Sequence, residues 1–131
     1  MKVYISGKIG EETPSAGTLA KFKKVSDALV SHGHIVFNPT VSGLGVVAEN
    51  RVRHAKICGN RTTWYNEILK LDLEKLSYCD AIVMLPDWAR SPGALAELTF
   101  AAAIGLDCYL WSETKQAMEY CHPYTIITGM L

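Results

Sequence analysis

Strand-like and helix-like segments alternate along this 131-residue chain, which predicts an α/β fold. The expected architecture is a doubly wound, flavodoxin- or Rossmann-like parallel sheet of about five strands, with helices on both faces. Two details support it. The apolar run Ala81-Ile82-Val83-Met84-Leu85 reads as a strand. Just after it, Ser91-Pro92 reads as an N-cap followed by a proline at the first helical position, opening an alanine-rich helix. The chain is read as one domain, 1–131, because no linker, repeat or low-complexity tract divides it.

The elements follow in order. Lys2-Val3-Tyr4-Ile5-Ser6 is a first strand, and a glycine-bearing loop runs to Ser15. Leu19, Phe22, Val25, Leu29 and Val30 recur at helical spacing, Gly33 ends that helix, and residues 34–37 form a second strand closed by Asn38-Pro39. Residues 40–60 mix glycines, polar groups and scattered apolar positions, so a loop with a short helix is expected, of the kind that covers a site. Trp64, Ile68, Leu71 and Leu76 give a further helical stripe, and Asp80 marks the turn into strand 81–85. Helix 92–104 ends at Gly105, residues 107–111 are a fourth strand, 112–119 a short helix, and 124–127 the last strand. The apolar stretch 125–131 either finishes the core or packs against a partner.

Composition narrows the function classes. Thirteen basic residues balance thirteen acidic ones, so nothing draws the chain to a nucleic-acid polymer or an anionic membrane, although a local basic patch is enough for one phosphate. No apolar run reaches the roughly 18–20 residues that span a bilayer. The N-terminus reads as a strand and not as a signal peptide. Cys58, Cys79, Cys108 and Cys121 are widely spaced, and His32, His34, His54 and His122 show no ligand spacing. Reduced thiols in the cytoplasm, no metal and no cofactor are therefore expected. Neither the Gly-x-Gly-x-x-Gly nor the P-loop pattern is present, which disfavours a standard dinucleotide or ATP site.

Ligands of parallel sheets bind beyond the carboxyl ends of the strands. Three glycine-bearing segments arrive there: residues 6–10, 39–45 and 86–93. Glu97 lies six residues past the Ser91 cap, too far in for helix-start electrostatics to require it. It shares a face with Gly93, whose missing side chain leaves room for a sugar above the carboxylate. The free N–H groups of the helix start suit an anion. Asp72 is the second acid to weigh, at a helix edge near the crevice, against the alternative of a solvated carboxylate. Tyr4, Trp64, Tyr65 and Trp88 are candidate rings to stack on a base. Trp88 is preferred because residues 87–90 form a short loop between strand and helix. Lys8 and Arg90 are candidate phosphate partners.

Three stretches together resemble the nucleoside 2-deoxyribosyltransferase superfamily: Val3-Tyr4-Ile5-Ser6-Gly7-Lys8-Ile9, Leu71-Asp72-Leu73 through Asp80-Ala81-Ile82-Val83, and Ser91-Pro92-Gly93 through Glu97. The chain is most similar to its small, often phage-encoded members and to the 2'-deoxynucleoside 5'-monophosphate N-hydrolase branch, with residues 40–63 matching least. The resemblance implies a doubly wound fold assembled as a homodimer or higher oligomer. It implies Glu97 as the nucleophile at the anomeric carbon, Asp72 as the aspartate near sugar and base, and Tyr4 as the first-strand tyrosine of the hydrolases. Gly7 matches the first-loop glycine that lets the substrate settle; the candidate substrate-binding residues are Ser6, Gly7, Lys8 and Ile9 in that loop, with Trp88, Arg90, Ser91 and Gly93 leading into the alanine-rich helix. The hydrolases carry a serine six residues before the glutamate, on the 5'-phosphate, and Ser91 stands at that spacing. Their first loop is richer in serine, arginine and glycine than Gly7-Lys8-Ile9-Gly10, so Lys8 would replace an arginine without its two-pronged geometry.

The activity these residues imply is hydrolysis of a (2'-deoxy)nucleoside 5'-monophosphate to free base and sugar 5-phosphate, through a glutamyl-sugar intermediate. The alternatives are a deoxyribosyltransferase that exchanges bases, a noncatalytic nucleotide-binding module, and a glycohydrolase of a NAD-like cofactor.

Overall fold

Alternating side chains on the first strand decide how the molecule is layered. In the computed structural model, which describes residues 1–10 and 12–128, β1 (Lys2–Ser6) buries both faces. Val3 and Ile5 point one way, Tyr4 and Ser6 the other. Val3 and Ile5 meet Phe22, Val25 and Leu29 of α1 (Ala16–Ser31). Tyr4 belongs to the opposite core, with Ile82 and Met84 of β3 (Ala81–Met84) and Ala94, Leu98 and Ala101 of α4 (Pro92–Ala103). Within the α1 stripe, Leu19 and Val30 stay exposed.

The sheet runs β2-β1-β3-β4-β5, with β2 at Ile35–Phe37, β4 at Asp107–Ser112 and β5 at Ala117–Tyr120. The first four strands are parallel and β5 is antiparallel to β4. Chain order reverses between β1 and β3, and this switch point is where doubly wound sheets open a crevice. A five-stranded, mostly parallel sheet with helices on both faces is the expected architecture, and its first four strands fall at the expected places.

Two segments differ from expectation. Residues 112–119 do not form a helix: a turn with Gln116 at φ 49° folds the chain back, and β5 pairs with β4. Tyr109 and Tyr120 then meet edge to face at 5.7 Å. Residues 124–127 do not form a strand: they lie in α5 (Pro123–Thr128), which Pro123 opens and which buries Ile126 against the α4 side of the core. Gly129 to Leu131, the end of the apolar stretch, lie outside the described residues, as does Glu11 of the first loop.

The segment after β2 is also more ordered than a loop with a short helix. Pro39–Val41 makes one helical turn, and α2 (Leu44–Ile57) is a full helix that buries only Ala48. It packs on α3 (Trp64–Ser77). Leu71 and Leu76 of α3 are buried, whereas Trp64 and Ile68, from the same stripe, face a cavity. Among the described residues no helix is long and apolar enough to cross a membrane.

Candidate active site

The site lies at the carboxyl end of β1, where the Tyr4 and Ser6 side chains leave the sheet on one face. Tyr4 is fully buried and its ring stacks on Phe37 at 5.2 Å. Its hydroxyl donates to Oε2 of Glu97, and Ser6 Oγ donates to Oε1 at 2.8 Å. Glu97 sits in the second turn of α4, only 7% exposed. The helix start that aims it is fixed by Ser91, whose Oγ accepts from the Ala94 N–H at 3.2 Å, with Pro92 in the first turn. Both carboxylate oxygens are thus held by hydroxyl donors from a neighbouring strand.

Burial pushes the Glu97 carboxyl up, the Tyr4 and Ser6 hydroxyls pull it partway back, and it comes to rest raised to about 7. The Tyr4 phenol is driven well above its ordinary range by burial and then by the charges of Glu97 and Asp72, so it remains a donor. Asp72, on α3, is 9% exposed, and its buried Oδ1 has no protein hydrogen-bond partner. Burial first, and the Glu97 charge second, raise it to about 8. The two acids titrate as a pair. When the pair carries a single negative charge, the two hydroxyl donors favour placing it on Glu97 and leaving the proton on Asp72.

Both acids line a cavity of about 470 Å³. Its walls are the first loop (Gly7, Ile9, Gly10), the start of α4 (Ser91, Pro92, Gly93, Ala94) and the cavity face of α3 with Trp64, Tyr65 and Ile68. That volume suits a small organic ligand. At Gly93 an added Cβ would meet no protein atom nearer than Ser91 Oγ at 3.9 Å, so the space above Glu97 is open. A smaller hollow of about 180 Å³ adjoins it past Asp72 and Trp64.

The first loop is set from behind. The Asp87 carboxylate accepts the Lys8 N–H at 3.0 Å on one oxygen and Lys21 Nζ at 2.6 Å on the other, and Lys21 Nζ also donates to the Lys8 carbonyl at 2.7 Å. Burial opposes the Asp87 charge, but Lys21 and the Lys8 amide outweigh it and hold the carboxyl below its ordinary range. Gly7 must be glycine here: a Cβ would come within 2.9 Å of Leu85 and 3.1 Å of Asp87 Oδ1.

Of the residues singled out from sequence, Glu97, Asp72, Gly7, Ile9, Ser91 and Gly93 line the cavity, and Tyr4 and Ser6 hold Glu97 from beneath. Lys8, Trp88 and Arg90 are not among its lining groups. The one-turn helix Trp88–Arg90 tucks the Trp88 ring against the α4 core, which corrects its preference as the stacking ring; Lys8 and Arg90 are exposed. Trp64 and Tyr65 present the aromatic wall instead. The Lys21–Asp87 brace has no signature in the sequence, because residues 66 positions apart leave no local pattern.

The fold is similar to that of a 2-deoxyribosyltransferase from the psychrotolerant bacterium Bacillus psychrosaccharolyticus, with a TM-score of 0.59 and 22% sequence identity over 100% of this chain and 82% of that one. No curated protein matches the chain. The family model for the domain of unknown function DUF4406 matches residues 1–109, and the chain belongs to that family.

Proposed function

We propose that the protein is an N-glycosidase that hydrolyses a (2'-deoxy)nucleoside 5'-monophosphate to free base and sugar 5-phosphate. The observation that carries this reading is the buried Glu97 carboxylate, oriented by Tyr4 and Ser6 into an open cavity that also contains an acid poised to stay protonated. One carboxylate attacks while the other carboxyl delivers a proton, which is the division of labour that cleavage at an anomeric carbon needs.

In the first step a Glu97 oxygen bonds to C1' as the C1'–N bond breaks. The bonding pair leaves with the base, which takes the Asp72 proton. Positive charge growing on the sugar ring is met by the ionised Glu97 beneath it. In the second step water attacks C1', its proton returns to Asp72, and Glu97 departs as carboxylate. Base and sugar 5-phosphate are the products, and both acids regain their starting states. Ser91 and the α4 start would receive the 5'-phosphate. Lys8 and Arg90, exposed and each one residue from a cavity-lining position, would supply rim cations.

The test is incubation with a panel of nucleosides and their 5'-monophosphates, with the products separated. Base release from a monophosphate, abolished by Glu97→Gln, is expected. Release from no substrate, or equal release by Glu97→Gln, overturns the reading. A second reading, base exchange between nucleosides, is favoured by the likeness to the 2-deoxyribosyltransferase and by the lack of a basic side chain among the described cavity-lining residues. Adding a second free base separates them: a new nucleoside forming faster than free sugar marks the transferase.

A further inference from the structure

The four cysteines stand far apart in the sequence and all are free, yet the sheet sets two of them opposite each other. Tyr109 of β4 pairs with Tyr120 of β5 in antiparallel register, so the next rung of the same ladder joins Cys108 to Cys121. That rung is made: the Cys121 N–H donates to the Cys108 carbonyl at 3.1 Å. Directly opposed residues of an antiparallel pair send their side chains to the same face. Tyr109 and Tyr120 do so, meeting edge to face. One rung on, Cys108 and Cys121 do so on the other side of the sheet, where both pack in the core that holds Leu98 and Ala101 of α4.

A hydrogen-bonded rung of this kind holds its Cα atoms about 5.5 Å apart, within the range that a disulfide spans. The two thiols differ in access. Cys108 is fully buried and its Sγ donates to the Leu106 carbonyl at 3.6 Å. Burial, then the charges of Asp107 and Cys121, raise its thiol to about 11. Cys121 is half-buried, just before α5. A reachable thiol beside a sheltered one is the arrangement in which the first captures an oxidant and the second resolves the adduct. The other two cysteines lie elsewhere: Cys79 is buried before β3 with its Sγ donating to the Lys75 carbonyl at 3.5 Å, and Cys58 is exposed at the end of α2.

We infer that Cys108 and Cys121 form a reversible dithiol–disulfide pair whose oxidant is a low-molecular-weight disulfide. In the first step the Cys121 sulfur attacks the reagent. A bond forms to Cys121 as the reagent's own S–S bond breaks, and one reagent thiol leaves with the Cys121 proton. In the second step the Cys108 sulfur attacks Cys121, the mixed bond breaks, and the other reagent thiol leaves with the Cys108 proton. The pair gives up two electrons and the reagent takes them. The new bond ties the edge strand β5 and the start of α5 to β4. This pair is independent of the glycosidase reading.

The experiment exposes the folded chain carrying Cys58→Ser, which removes the exposed thiol, to oxidised glutathione, and maps every cysteine by mass spectrometry after alkylation. A Cys108–Cys121 bridge is expected, with no retained glutathione, with Cys79 free, and with both thiols restored by dithiothreitol. Adding Cys108→Ser should leave glutathione on Cys121, because nothing displaces it. Adding Cys121→Ser instead should leave Cys108 unmodified, because the oxidant does not reach it, and this variant decides the matter if Cys108→Ser fails to fold. The bridged protein should melt no lower than the reduced one, since the bond spans a rung already formed. The inference is overturned if Cys108 and Cys121 both stay free, if Cys121 keeps its glutathione beside an intact Cys108, or if the bridge takes in Cys79. It is equally overturned if Cys108 is modified without Cys121, or if the bridge lowers the melting temperature.

Discussion

Replacing Glu97 by glutamine should make the protein more stable at alkaline pH while abolishing its chemistry. The carboxyl is raised from 4.5 to about 7 by burial, against the pull of Tyr4 and Ser6. The folded state therefore binds this proton more tightly than the unfolded chain does. The resulting stability is fully present below pH 4.5 and is lost as pH climbs through 7, by about 3 kcal/mol in all at 1.36 kcal/mol per unit. Glutamine has the same shape and nothing to ionise, so this loss disappears in the variant. Asp72 is freed at the same time from the Glu97 charge that helps to raise it. Calorimetric melting of wild type and Glu97→Gln at pH 5 and pH 8.5 makes the comparison. At pH 5 the two should lie within about 1 kcal/mol, since Glu97 is protonated there. At pH 8.5 the variant should be ahead by about 3 kcal/mol, or roughly 10 °C for a domain of this size. A gap that does not change with pH, or a variant less stable at pH 8.5, would show that Glu97 carries no buried charge and would remove the electrostatic basis of the site.

Three further outcomes follow from the same geometry. The pH dependence of kcat/KM should be a narrow bell, rising through about 7 as Glu97 ionises and falling through about 8 as Asp72 loses its proton, and Asp72→Asn should erase the falling limb while lowering kcat about 100-fold, which a pH–rate series reads directly. Tyr4→Phe removes a donor that lowers the Glu97 pKa, so the rising limb should move to higher pH and turnover at pH 7 should drop about tenfold, by the same series. Asp87→Asn or Lys21→Met should loosen the first loop and raise KM several-fold more than it lowers kcat, with Lys21→Arg restoring most of the loss, as steady-state kinetics would show.

What could be read from the chain, and what could not, follows the range of the interactions concerned. The Ser91 cap, the apolar run that becomes Ala81–Met84 and the first strand at Lys2–Ser6 are local signals, and each appears where the sequence places it. The C-terminal segment misleads because its local preferences and its tertiary context disagree. Residues 112–119 hold good helix formers such as Glu113, Lys115 and Ala117, yet β4 offers an edge, and the hydrogen bonds of β5 satisfy it. Residues 124–127 are rich in β-favouring side chains, yet Pro123 opens a helix and Ile126 finds the core. Helix α2 is hard to see because it shows no strong apolar stripe: only Ala48 is buried, while Val46, Val47 and Ile57 stay exposed.

The site divides along the same line. Glu97 stands out in sequence because a carboxylate beyond the first helical turn, on the face of a glycine, has no structural reason to be there. Asp72 looks like an ordinary surface acid, because nothing within its own helix discloses that the fold buries it within reach of the Glu97 charge. The choice of aromatic ring fails for a related reason. Trp88 lies in a loop at the right strand end, where exposure is the natural expectation, but a single helical turn rotates it onto the core. Trp64 belongs to an apolar stripe that periodicity assigns wholly to the core, and the stripe splits: Leu71 and Leu76 go inward, Trp64 and Ile68 toward the cavity. A helical stripe states which residues share a face, not whether that face meets another element or a ligand. Here the boundary falls between Ile68 and Leu71, one turn before the acid that both cavities share.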